Sequence, residues 1–126
     1  LWYLQKSFQD SNTVDIARKI VYSQLQIDSL EQTLPYLSYI STHQPSDIMS
    51  IKLTDKVQEI LSLKKQVRED DKNLEALKKL SGYYIYLKNK EVAKLYIDKA
   101  RAIAPKDTMV LSQASELNKL QLEQKN

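Results

Sequence analysis

The chain has 126 residues, 42% apolar and 28% charged, with a formal charge of +3, one glycine, three prolines, one histidine and no cysteine. Such a composition belongs to a folded domain, and a chain this long buries roughly two-thirds of its unfolded surface. The lone glycine, Gly82, argues against a β-rich fold and removes every glycine-rich phosphate loop, and one histidine without cysteine all but excludes zinc-finger, metalloprotease and thiol chemistry.

In chain order, Leu1-Trp2-Tyr3-Leu4 comes first. These residues read equally as apolar cover for the first helix or as the interfacial end of an upstream membrane helix, the depth that Trp and Tyr favour. No stretch of the chain itself approaches the roughly 20 apolar residues of a span. Val14, Ala17, Ile20, Val21, Leu25 and Ile27 then recur at helical spacing, with Ser11-Asn12 ahead of them as the expected N-cap and Asp15 in the first turn. A second helix is expected within 30–43 from Leu34, Leu37 and Ile40; Pro35 makes it start late or bend. Gln44-Pro45-Ser46-Asp47 is a break. The segment 48–69 is helical by Leu53, Val57, Ile60, Leu61 and Val67, and a fresh start at Thr54-Asp55, with Gln58 in capping-box spacing, would split it in two.

Glu69-Asp70-Asp71-Lys72-Asn73 forms a polar joint. Leu74, Leu77, Leu80, Tyr84 and Leu87 mark the next helix, Asn89-Lys90 a tight turn, and Val92, Ala93, Tyr96, Ile97, Ala100 and Ile103 a helix that Pro105 ends. Asp107-Thr108 caps a last helix whose face is expected to carry Leu111, Ala114, Leu117 and Leu120. No segment alternates with period two, so the chain is expected to be all-α, six or seven helices in short-loop hairpins.

Charge is uneven: residues 1–45 carry −1, 46–73 and 108–126 none, and 74–107 carry +4. One mildly basic segment and three arginines are not the footprint of a nucleic-acid protein, so no nucleic-acid partner is expected; RNA binding by a helical array would need a basic face with exposed aromatics. His43 stands in a helix's last turn, and its neighbours Ser46 and Asp47 read as the next helix cap, not as a catalytic relay. Glu69, Asp70 and Asp71 diverge on a helix end and read as a solvated joint in preference to a cation site. Tyr83, Tyr84 and Tyr86 are a candidate stacking platform, although the 34-residue repeat pattern that this segment resembles, described below, implies that Tyr84 is core and the others margins. No cofactor or metal is expected.

The spacing Leu77-x2-Leu80-Ser81-x2-Tyr84…Ala93-x3-Ile97…Pro105, with Ala100 before the proline, resembles the tetratricopeptide repeat, a 34-residue helix–turn–helix. Small residues at Ser81, Ala93 and Ala100 let two antiparallel helices approach, while Leu80, Tyr84 and Ile97 fill the seam. A degenerate copy fits 14–47: Ala17-x2-Ile20-Val21-x2-Gln24…Thr33-x3-Leu37…Pro45. Residues 48–73 are then an insertion or a shortened repeat, helix parity favouring the latter, and 108–124 a solvent-facing capping helix.

The resemblance implies a right-handed solenoid of helical hairpins. It also implies a non-enzymatic interaction or scaffold module that holds a peptide segment or partner domain. Its inner face would be built from the first helix of each repeat, and Arg18, Lys19, Tyr22, Lys78, Lys79 and Tyr86 are the residues expected to meet a partner. Tyr22 and Gly82 stand where the family's carboxylate clamp would want asparagine, so that clamp is not carried over. A membrane anchor outside this chain is compatible with the aromatic start, and zero cysteines fit an extracytoplasmic location somewhat better than a cytoplasmic one. The alternative role is an accessory domain of a larger membrane enzyme, such as a glycan polymerase or ligase.

Overall fold

A computed structural model describes the backbone of residues 2–11 and 13–125 and the side chains of residues 2–6 and 13–123. Among the described residues the chain is entirely helical, with no strand. Seven helices run in order: α1 (Trp2–Ser11), α2 (Val14–Gln26), α3 (Thr33–His43), α4 (Ile48–Glu69), α5 (Leu74–Tyr86), α6 (Lys90–Ile103) and α7 (Thr108–Lys125). They fall into two compact units, Leu1–Leu61 and Ser62–Asn126, so α4 contributes its first part to one and its end to the other.

In the first unit, α2 packs on α1 and α3. Its core takes Ala17, Ile20, Val21, Gln24 and Leu25 from α2 and Leu30, Thr33, Leu37 and Ile40 from α3 and the turn before it. Thr33 is satisfied there because its Oγ1 donates to the Leu30 carbonyl at 2.6 Å. In the second unit, α5, α6 and α7 pack pairwise on one another. Ala93 and Ala100 have no exposed surface, and the Tyr84 ring stacks on Tyr96 with centroids 5.7 Å apart. Small residues thus sit where α6 meets its neighbours, and aromatic area fills the space beside them.

The two units repeat one local design sixty positions apart. Thr13 Oγ1 accepts from the Ile16 amide, and Asn73 Oδ1 from the Ala76 amide. Both α2 and α5 close in a Schellman motif: Asp28 and Lys88 have φ of 59° and 60°, the Ser29 amide donates to the Gln24 carbonyl, and the Asn89 amide to the Tyr84 carbonyl. Pro45 and Pro105 follow α3 and α6. Asp47 and Asp107 then accept from the Ser50 and Val110 amides, starting α4 and α7. Burial keeps the same register in those two helices, at Ser50, Val57 and Ile60 in α4 and at Val110, Leu117 and Leu120 in α7.

Several expectations are corrected. Ser11 ends α1, Asn12 lies outside the described residues, and the cap of α2 is Thr13. Leu1 also lies outside them, while Trp2 and Tyr3 are exposed on α1, a helix the apolar spacing did not announce. Segment 48–69 is one uninterrupted helix. Thr54 does not cap a new start, because its Oγ1 donates back to the Ser50 carbonyl at 2.7 Å, and the apolar register runs on through Val57, Ile60, Leu63 and Val67 without a phase break. Ile27, at the C-cap of α2, is exposed. In α7 the buried stripe is Val110, Gln113, Leu117 and Leu120, one position off the expected face at its start, and Leu111 is exposed. Pro35 goes with the late start, one of its two expected outcomes: α3 begins at Thr33, which makes Pro35 its third residue, where a proline amide is not needed.

Candidate partner-binding face

α2 and α5 each carry a cation one turn in, Arg18 and Lys78, and each is paired. In the first unit Arg18 donates from Nη2 to Gln44 Oε1 and, at 2.7 Å, to Asp47 Oδ2; Asp15 lies 3.5 Å from its other terminal nitrogen. In the second unit Lys78 Nζ bonds Asp107 Oδ2 at 3.0 Å and pairs with Glu75 at 3.2 Å. Both long-range contacts span 29 residues. The two acids cap α4 and α7, so the pairs tie α2 to the start of α4 and α5 to the start of α7. One carboxylate oxygen serves the helix amides and the other the cation.

The electrostatics follow that geometry. Hydrogen bonding to Arg18, then to Ser50, holds the Asp47 carboxyl below its ordinary 3.8. Lys78 does the same for Asp107, aided by the Val110 amide. In return the two carboxylates Asp107 and Glu75 raise the Lys78 ammonium above its ordinary 10.5. The Lys78 side chain is only 12% exposed, so its charge is turned inward to a partner of its own chain.

Of the six residues expected to meet a partner, Lys19 and Tyr22 are exposed on α2, and Lys79 and Tyr86 on α5. Arg18 is exposed as well, although it is paired with Gln44 and Asp47, and Lys78 is largely covered in its pair with Asp107. The sequence signal for this was present: an acid follows each proline by two residues, at matching positions of the two hairpins.

The remaining candidates resolve simply. His43 Nδ1 lies 2.9 Å from the Tyr39 carbonyl and its ring lies against Tyr39, so the imidazole is held on its own helix. Asp70 Oδ1 accepts from the Lys72 amide, making the acidic run a turn, and among the described residues no group of His, Cys, Asp or Glu is placed to hold a metal ion. Tyr84 is fully buried and Tyr83 partly so, which leaves Tyr86 as the exposed ring of the three. No described helix is long and apolar enough to cross a membrane.

Residue spacing did not announce a groove in the second unit. Gly82 on α5 and Thr108, Met109, Ser112, Gln113 and Glu116 on α7 enclose about 470 Å³. Gln113 anchors it, donating from Nε2 to the Lys78 carbonyl at 2.8 Å while its Oε1 stays buried without a partner. No protein-family model, no curated protein and no solved structure matches the chain.

Proposed function

We propose that this chain is a non-enzymatic interaction module, a tetratricopeptide-like array of helical hairpins that holds a peptide segment or partner domain. The observation that supports it best is the repeated design: the same cap, the same Schellman turn, the same proline and the same cation–aspartate strut recur at matching positions of the two units. Struts that fix the start of α4 against α2 and the start of α7 against α5 make a stiff scaffold, and stiffness lowers the ordering cost of binding. On this reading the contacting residues are the exposed Lys19 and Tyr22 of one unit and Lys79 and Tyr86 of the other.

The test is binding of a captured partner to Lys19→Glu, Lys79→Glu and Tyr86→Ser variants of the folded chain. Exposed charges contribute about 1 kcal/mol or less each, so each reversal should weaken binding by roughly fivefold. The loss should appear mainly as slower association that added salt mimics. Unchanged affinity in all three variants refutes the assignment of this face.

A further inference from the structure

We infer that the groove between α5 and α7 docks a lysine- or arginine-bearing apolar segment of a partner protein. This rests on the interaction-module reading and specifies the partner's chemistry. The first observation is Gly82. A glycine inside a helix is less favourable than alanine, so its presence needs a reason. Its φ is not positive, and a Cβ there would meet only Gln113 Nε2 at 3.5 Å, an ordinary contact. Neither backbone conformation nor internal packing therefore demands glycine. Its effect is to leave the α5 backbone bare where the groove lies, open to close approach. The first unit has Tyr22 at the matching position, 67% exposed.

The second observation is the lining. Thr108 and Ser112 supply hydroxyls, Glu116 a carboxylate and Met109 an exposed thioether; no cation lines the groove. Gln113 adds a buried Oε1 that lacks a hydrogen-bond partner, although its Nε2 is held. At the matching positions of the first unit, Ser112 and Glu116 are replaced by Lys52 and Lys56. The acceptor character thus belongs to this groove and not to the repeated design. Lys79 lies one turn before Gly82 but outside the lining, so an acidic side chain seated in the groove itself would meet Glu116 and pay for it. A cationic side chain pairs with Glu116 and donates to the Thr108 and Ser112 hydroxyls, while an adjoining apolar residue covers Met109, whose flexible side chain adapts to it.

The test titrates the ¹⁵N-labelled chain with two amphipathic peptides of identical pattern, one of leucine and lysine, the other of leucine and glutamate. Gly82 is the single glycine, so its amide is a unique reporter. The Leu/Lys peptide should shift Gly82 and the amides of residues 108–116 saturably, and the Leu/Glu peptide should not. Glu116→Lys should weaken the Leu/Lys peptide about fivefold or more. Gly82→Tyr, which installs the first unit's residue, should abolish the shifts; Gly82→Ala, with helicity checked by circular dichroism, guards against misfolding and should weaken them. Shifts spread over the chain's carboxylates and indifferent to these variants would overturn the proposal. So would preference for the Leu/Glu peptide, which reverses the sign but leaves the interaction module intact. Silence of Gly82 toward both peptides would remove the groove, while partner binding sensitive to Lys19 and Lys79 would still stand.

Discussion

Gln24 offers the sharpest test of how the first unit is held together. It is 1% exposed on α2, and neither its Nε2 nor its Oε1 has a hydrogen-bond partner. An unsatisfied buried polar group costs about 1–3 kcal/mol. Leucine removes both polar atoms at similar size, with a repacking cost of roughly 1 kcal/mol for the change in branching. The net expectation for Gln24→Leu is a stabilisation of about 1 kcal/mol, which in a domain of this size raises the midpoint by roughly 3–6 °C. Gln24→Ala separates the two contributions. It removes the same amide but leaves a cavity, and should fall about 2–4 kcal/mol below the leucine variant. Urea and thermal unfolding followed by circular dichroism measure both. A lower midpoint for Gln24→Leu at unchanged denaturant slope would mean the amide is bonded in solution, to a buried water for example, and the reasoning would fail.

Ala100 is fully buried and Lys99 exposed beside it. Ala100→Leu should therefore over-pack the α5–α6 seam and cost about 1–3 kcal/mol, whereas Lys99→Leu should stay within about 0.5 kcal/mol; equal shifts in thermal unfolding would show the register to be wrong. Stability should also depend on pH through the two struts. Asp47 and Asp107 are held below 3.8, so their contribution is complete above that value and is lost as pH falls through their lower folded values. Lys78 is held above 10.5, so its contribution is complete below that value and is lost as pH rises through its higher folded value. The double variant Asp47→Asn, Asp107→Asn should flatten the acid limb of an unfolding–pH profile, and an unaltered acid limb would deny the struts a role.

What residues along the chain determined by themselves is local. The 3.6-residue apolar period marked α2 to α7, and the asparagines and aspartates at 47, 73, 89 and 107 with the prolines at 45 and 105 marked their ends, because capping and proline effects act within one turn. Periodicity also placed Ala93, Ala100 and Tyr84 in the core. Other features awaited tertiary structure. Whether Lys78 faces a partner or Asp107 depends on where a residue 29 positions away arrives, and solvated and paired lysines look alike in sequence. Thr54 could equally bond forward as a cap or backward to Ser50, and only the unbroken packing of α4 decided between them. Leu111 and Val110 are both apolar, and which one is buried was settled by the face that α7 presents to α5 and α6. The groove at Gly82 and the orphaned amide of Gln24 have no signature in the chain at all, since each is a property of the space left between helices once their faces have met.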